Sequence, residues 1–559
     1  MKLFKFLVTI CIFTFPLQGY AQAPKADAAN PYGVSTYECS SIYWKTPEAG
    51  ACKIRYKQSS SSAWKDGMEP VYDSRQGEYR VSIIGLNPNT EYQVELSNTS
   101  AKSALKVKTR NDKFPVGKKT ILPAGESDKT IIITESGTPD AYHLVTVPDN
   151  AKSTLNIKNV YDNAIEINAD YVIVRGIDIR NARINCVKIS RNRHDIVVEQ
   201  CYMNFWGRLG GPHTYGNAEG GSDSGVYGEN GVYNITVQRN LMEEPRGASN
   251  DWETGHPDGP QGVTIIQSLG GNVIRYNDIV TTEDHGYNDG IGGGSNFSDV
   301  GNMNRDSDIY GNIIEGVWDD AIESEGANMN VRIWGNYMNR YFVGIATAST
   351  TFGPCYIFRN IFAESRRGHS NPTGGTMFKL GGRDKFMGGR RYFLHNTAVQ
   401  PGGPANSVAR CANCVSRNNI YDVIVRPGSS RAPEADNDFD YDFGYPDEEH
   451  GMSINSTPAG TRLLVSSYNM EFYPRSTVNS IEWGAQPIQF GEQERRVTDP
   501  VRWVKNPIID GGVVIPGLND DFQGKAPDAG AFEVGNAPLQ FGRRAYLNFD
   551  EGLTPWEKY

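Results

Sequence analysis

A short pattern recurs through most of this chain: two or three apolar residues at alternate positions, then an asparagine, then another apolar residue. It is written out in Ile235-Thr236-Val237-Gln238-Arg239-Asn240-Leu241 and returns around Asn277, Asn312, Asn336, Asn360, Asn396 and Asn418. The intervals between these asparagines are 37, 35, 24, 24, 36 and 22 residues, and two earlier strands, Val172-Ile173-Val174 and Ile196-Val197-Val198, are 24 apart. A second strand precedes each of them with the same irregular period, from Asn163-Ala164-Ile165 and Asn185-Cys186-Val187 through Asp289-Gly290-Ile291 and Asp320-Ala321-Ile322 to Thr376-Met377-Phe378. Short β runs, glycine-rich corners and no helical periodicity predict a solenoid whose coils stack about 4.8 Å apart. The asparagines are expected to stack as a ladder of side-chain amides inside the turns.

With that pattern, residues 115–425 resemble a right-handed parallel β-helix of the pectate-lyase-like superfamily. Residues 426–559 are expected to form its C-terminal end and cap, and Pro527-Asp528-Ala529-Gly530-Ala531-Phe532-Glu533 is similar to the closing segment of many secreted β-helix proteins. Residues 30–111 read as a small β-sandwich, with alternating runs such as Lys53-Ile54-Arg55-Tyr56 and Tyr92-Gln93-Val94-Glu95-Leu96 between turn clusters. Its Leu86, Pro88, Thr90 and Tyr92 are spaced as in a fibronectin type III domain, where the tyrosine hydroxyl returns to the backbone at a sandwich corner. The fold class is therefore all-β, a small sandwich followed by a parallel β-helix.

Composition removes other classes. The chain has 559 residues, 65 acidic against 55 basic side chains and 60 glycines, without the glycine triplet of collagen. The mature chain has no apolar run long enough to span a bilayer. A net charge of −10 argues against nucleic acid, so any polyanion would have to meet a local basic patch. Residues 1–23 read as a cleavable signal peptide: Lys2 and Lys5, the apolar stretch Phe6 to Leu17, then Ala21-Gln22-Ala23. Export to the periplasm or beyond is expected. Cys11 lacks the small residue that precedes a lipidated cysteine. Cys39 and Cys52 are near enough to pair, Cys411 and Cys414 could form a local bridge, and no zinc-ligand set is spaced correctly.

Alternation along the second strand defines an outward column: Glu166, Lys188, Tyr227, Thr264, Gly292, Glu323, Ala346 and Lys379. Glu323 and Lys379 would stand two coils apart, roughly 10 Å, with Glu325 on the same face. Insertions at 200–231, 243–260, 281–306 and 364–390 would wall a cleft over the column and carry His256, Asp258, His285 and His369. From Arg366 to Arg391 there are seven basic residues, among them Arg367, Arg383, Lys385 and Arg390, against one acid, Asp384. Such a segment suits an anionic ligand. An acid-rich run at 438–449 matches a calcium-binding loop in part, but Phe443 stands where the sharp turn needs glycine, so an edge strand is expected.

Two mechanisms suit these parts. In β-elimination on a uronic acid, Arg383 and Arg366 would neutralise the carboxylate, Lys379 would be the base if neighbouring cations depress its pKa, and His256 or His285 the acid. Glu323-Ser324-Glu325 resembles the E-x-E calcium ligands of β-helix alginate and dermatan lyases, which implies Ca2+ at Glu323 and Glu325; the lysine those enzymes carry just after the motif is missing here. In inverting hydrolysis, Asn288-Asp289-Gly290 and Asp319-Asp320 are similar to the first acidic motifs of the polygalacturonase family, but neither its Gly-His-Gly nor its Arg-x-Lys follows. The leading expectation is an exported lyase or uronate dehydratase, then an inverting hydrolase, then a non-catalytic glycan-binding β-helix. Its partner would be an anionic poly- or oligosaccharide, held by Arg366, Arg367, His369, Arg390 and Tyr227, and the expected state is a monomer.

Overall fold

Branched apolar residues at every second position give strands that bury one face, and the period brings each strand over its counterpart one coil earlier. The computed structural model describes residues 31–46, 49–209, 223–293, 296–370, 375–381, 385–398, 413–423, 437–439, 441–445, 510–537, 539–548 and 553–558. From Val116–Ile121 onward each of the first nine coils gives one strand to each of three parallel sheets, and three further described coils extend two of them. The first sheet has twelve described strands and ends at Asp438–Phe439; the second, from Gly125–Ser127 to Phe443–Tyr445, also has twelve; the third, from Ile131–Ile133 to Thr376–Lys379, has nine. This is a right-handed parallel β-helix. Val174, Val198, Val237, Ile274, Ile309 and Ile333 of the first sheet meet Met203, Met242 and Ile279 of the second and Ile189, Ile265 and Ile322 of the third in one buried core. The coil passes residue 425: Asp438–Phe439 and Phe443–Tyr445 pair in parallel with the strands before them, so the acid-rich run belongs to the last described coil.

The asparagine ladder lies at the corner between the first and second sheets. Nδ2 of Asn240 donates to Oδ1 of Asn277 at 3.0 Å, and the chain continues through Asn312, Asn336, Asn360 and Asn396 with spacings of 2.9 to 3.0 Å. Each Oδ1 also accepts a backbone N–H from the coil before, as from Asn312 to Asn336 at 3.1 Å, and each Nδ2 also donates to a core-strand carbonyl, as from Asn336 to Ile309 at 3.0 Å. At the last rung the sequence expectation is off by one residue: Asn419 accepts from Asn396 at 2.9 Å and donates to Asp442 at 2.8 Å. Asn418 instead takes the left-handed position before the ladder residue, as Arg239, Tyr276 and His395 do in their coils. Asparagine tolerates that conformation well, so either of the two asparagines fits the pattern locally. Burial raises the carboxyl of the terminal Asp442 to about 7.

The N-terminal segment forms two four-stranded antiparallel sheets packed face to face. At its corner the N–H of Asn87 donates to the Tyr92 hydroxyl at 2.9 Å. One sandwich sheet lies on the outside of the first β-helix sheet, whose Tyr356, Phe358, Tyr392 and Leu394 enter the sandwich core. Polar anchors fix the contact: Tyr43 donates to Asp306 at 2.6 Å, and fully buried Arg332 bonds Asp308 and Ser41, both at 2.6 Å.

The described C-terminal residues do not close the end of the helix; they strap its side. Ala529, Ala531 and Phe532 pack on Ile361, Tyr337 and Ile313 outside the second sheet, Arg543 pairs with Asp278 at 3.0 Å, and Trp556 stacks on Tyr202 several coils back. Outward apolar residues such as Leu241, Val280 and Ile313 leave a greasy flank, and the strap covers it. Cys39, Cys52, Cys186, Cys201, Cys355 and Cys414 are buried free thiols, so Cys39 and Cys52 do not pair; Cys411 lies outside the described residues. Among the described residues no helix is long and apolar enough to cross a membrane.

Asn336→Ala removes an amide that serves three buried partners. Losing them is expected to cost about 3 kcal/mol or more, read as a lower denaturation midpoint; an unchanged midpoint would show that the ladder decorates a coil held by its core.

Candidate active site

The third sheet carries the outward column in the expected register. Glu166 pairs with Lys188, Lys188 with Tyr227, Tyr227 with Thr264 and Thr264 with Gly292; further on, Glu323 pairs with Ala346 and Ala346 with Lys379. Three residues before Thr264, Gly292 and Glu323 stand Gln261, Asp289 and Asp320, and Gln261 hydrogen-bonds both Thr264 and Asp289. Together with the column they converge on a nest of carboxyls. Oxygens of Asp289, Asp319 and Asp320 lie within 4.8 Å of one another, and so do those of Asp320, Glu323 and Glu325. Lys379 reaches back over two coils into this nest, its Nζ 2.6 Å from Asp320 Oδ2 and 3.3 Å from Glu325 Oε1.

Each acid is held in place. Gln261 donates to Asp289 Oδ2 at 2.7 Å, the backbone N–H of Asp320 to Asp289 Oδ1 at 3.0 Å, and the N–H of Gly293 to Glu323 Oε2 at 3.2 Å. Asp319 accepts from the indole of Trp252 at 3.1 Å, and His256 Nε2 stands 3.9 Å from its other oxygen. Trp252 packs between His256 and Phe342, with ring centroids 4.7 and 5.1 Å away. The insertions carrying these groups are tied together: the N–H of His369 donates to Asp251 at 3.1 Å and Ser370 to Glu253 at 2.5 Å. Oδ1 of Asp320 and Oε2 of Glu325 are buried without a hydrogen-bond partner.

No family model matches the chain. No curated protein matches it either. Among solved structures it is similar to an alginate lyase from Paenibacillus sp. str. FPU-7, at 14% identity over 59% of this chain and 93% of that one, with a TM-score of 0.30. It is also similar to the catalytic domain of a GH87 alpha-1,3-glucanase solved with nigerose, at 9% identity over 77% of this chain and 91% of that one, with a TM-score of 0.20. Likenesses this distant leave the chemistry to be read from the chain's own residues.

Burial, with repulsion from Glu323 and its neighbours, raises the carboxyl of Asp289 well above the usual range, and burial does the same to Asp320 against the pull of Lys379. Burial raises Glu325 as well, against the pull of Lys379. Asp319 is raised to about 6, burial outweighing Lys379 and the Trp252 hydrogen bond. For Lys379 burial acts downward, but Asp320 and Glu325 overcome it and hold the amine well above its ordinary value. The expected depression by neighbouring cations does not occur, because the neighbours are anions. Lys379 is a fixed positive charge in a nest that retains protons.

The other expected residues divide. His256 stands at the mouth beside Asp319, with its side chain 72% exposed. His285 belongs elsewhere, near Pro245 O at 2.7 Å and against the edge of Phe205. Arg366 is buried, its guanidinium 3.7 Å above the Trp318 ring and paired with Glu283, which braces the wall. His369 packs on the same tryptophan and is exposed toward solvent, as is Arg367. Arg390 faces the sandwich beside Tyr72, Arg75 and Phe352, since the chain has by then returned to the first sheet to begin Arg391–Leu394. Tyr227 is half-buried three coils from Glu323, about 14 Å along the column. Arg383 lies outside the described residues. Asp319, Trp252, Gln261 and Phe342 were not singled out from the sequence as site residues; Asp319 was visible only as half of a doublet, and Trp252 carries no repeat phase.

Asp319 ionises near 3.8 when unfolded and near 6 when folded. Its contribution to stability is whole below pH 4 and is lost as pH rises to about 6. Asp319→Asn should therefore remove roughly 3 kcal/mol of the decline between pH 4 and 7, measured as the difference between the two proteins' urea-midpoint profiles. Parallel profiles would exclude the assignment.

Proposed function

We propose that this protein is an exported carbohydrate-active enzyme that cleaves a glycosidic bond by carboxyl chemistry, as a glycoside hydrolase. One observation carries the reading: Asp319, its carboxyl raised to about 6, lies within 4.8 Å of Asp289 and Asp320 oxygens, beside half-buried Trp252 and the exposed ring of His256. A carboxyl that keeps its proton near pH 6 can deliver it to a leaving glycosidic oxygen. Asp320 is the partner carboxyl: burial favours its protonated form, and the ion pair with Lys379 at 2.6 Å is the one contact that opposes this and would let it act as a carboxylate, with Oδ1 uncommitted. Half-buried Trp252 and Phe342, with exposed His256, form the aromatic edge against which a sugar ring would pack. Oxygens this close leave little room for a water between the carboxyls, which favours a retaining pair over the inverting geometry expected from the acidic motifs. Lys379 then orients Asp320 and offsets charge.

A second reading rests on the uncommitted oxygens of Asp320 and Glu325. Asp320, Glu323 and Glu325 offer the hard oxygen donors that Ca2+ prefers, and in that reading the three would hold it. The ion would supply positive charge to neutralise a uronate carboxylate. Relieved of its anionic partners, Lys379 would have a lower pKa, as β-elimination requires of a base. The sandwich, in either case, we assign to the fibronectin type III kind, on its corner tyrosine and the spacing around it.

Incubation with a panel of uronate-bearing and neutral plant and algal polysaccharides separates the two. Hydrolysis gives reducing ends with no new near-ultraviolet absorbance and survives chelation; Asp319→Asn should lower kcat by about a thousandfold and remove the fall in rate above pH 6. Unsaturated products that vanish with EDTA and return with calcium would establish the second reading and overturn the first.

A further inference from the structure

We propose that the outer sheet of the N-terminal sandwich is a docking face for an acidic polysaccharide chain, separate from the carboxyl nest. The inner sheet is used up in the contact with the β-helix; the other, made of Lys65–Asp66, Lys53–Gln58, Glu91–Ser97 and Lys102–Lys108, is turned away from it. Alternation buries Ile54, Tyr56, Val94 and Leu96 in the sandwich and points the residues between them outward. Across the sheet the outward charges are Lys53, Arg55, Lys57, Lys102, Lys106 and Lys108 against the acids Asp66, Glu91 and Glu95. Lys53, Ser97 and Lys102 form one cross-strand row, and Lys57, Gln93 and Lys106 another.

Two of the cations are neutralised where they stand, Arg55 by Glu95 at 2.6 Å and Lys106 by Glu91 at 3.0 Å. Lys53, Lys57, Lys102 and Lys108 have no ion pair among the described residues, in a chain whose net charge is −10. Lys53 and Lys102 border an open groove of about 630 Å³ whose lining also includes Arg55 and Ser97 and the acids Asp66 and Glu95. At one side stands Trp64, with Arg55 4.6 Å and Lys57 5.2 Å from its ring centroid. Lys53 and Lys57 stand about 13 Å apart along their strand, and Lys53 and Lys102 about 10 Å apart across two strands, presenting a grid of mobile point charges. That grid suits a linear polymer with a carboxylate or sulfate on successive sugars better than one rigid bidentate anion. The single aromatic adds a stacking surface for a sugar ring. A membrane is disfavoured, because the described large apolar side chains that are exposed all lie outside the sandwich.

Affinity electrophoresis of the full chain tests this, in native gels cast with alginate, with chondroitin sulfate or with a neutral β-glucan. The wild-type protein should be retarded by both acidic polymers, not by the glucan, and the effect should fade at high salt. The K53Q/K57Q/K102Q/K108Q variant should bind the acidic polymers at least about tenfold more weakly with an unchanged melting temperature, while arginine at the same four positions should preserve binding. Cleavage of short oligosaccharides in the nest should be indifferent to all these changes, so the two sites are read separately. Equal retardation of wild type and glutamine variant, no retardation of either, or tighter binding to duplex DNA or phosphatidylglycerol vesicles would overturn the proposal.

Discussion

Everything in this molecule depends on holding parallel coils in register, because a one-residue slip in a strand exchanges its inner and outer faces. Packing alone constrains register weakly where the core is a stack of similar Val, Ile and Met side chains. The asparagine ladder supplies the missing specificity. Each rung joins a side-chain amide to the rung above and to two backbone groups, at a corner where the chain has left the sheets and would otherwise leave its N–H and C=O groups buried and unpaired. The left-handed residue before each rung turns the chain sharply enough to bring the amide inward. Placement of the outward columns follows from this corner.

The columns explain why the fold was legible in the sequence and the site only partly. Strand alternation and the coil period are arithmetic, so Glu323, Ala346 and Lys379 fall on one line whatever their neighbours. At Asn418 and Asn419 the arithmetic meets two residues of one type and cannot choose. The insertions have no period at all. Trp252 reaches Asp319 across 67 positions, and Arg390 leaves the cleft because its segment has already turned to the next sheet. The protonation of Lys379 was equally hidden: a basic stretch in sequence suggested cationic company, but its nearest groups in space are Asp320 and Glu325, from coils 59 and 54 positions earlier. Charge along the chain is a poor guide to charge around a side chain when the fold brings separate coils together.

That inversion changes the chemistry the nest can perform. A lysine flanked by cations loses its proton and becomes a base; a lysine flanked by carboxylates keeps it and becomes a counter-ion. Five acidic side chains against one amine form an excess of negative charge that burial does not tolerate, so the excess is relieved by retained protons or by a bound cation. Retained protons make an acid for glycosidic cleavage, and a cation makes a receptor for a uronate. The same residues serve either outcome, and the occupant of the oxygens of Asp320 and Glu325 selects between them.

On the two proposals above, the nest and the sandwich face would divide recognition between them. A cleft dominated by carboxyls repels a sugar acid at the point of cleavage unless that charge is met, while the lysine grid attracts charge wherever it occurs along a polymer. The sandwich is anchored by Tyr43, Arg332 and the aromatic floor of Tyr356 and Tyr392, so the two surfaces keep a fixed geometry. A chain held on the lysines would raise the local concentration of its own neighbouring segments at the cleft without paying for a flexible linker's disorder. Such an arrangement suits a polymer of mixed character: acidic units for the sandwich to hold, and a less charged unit, packed against Trp252, where the bond is broken.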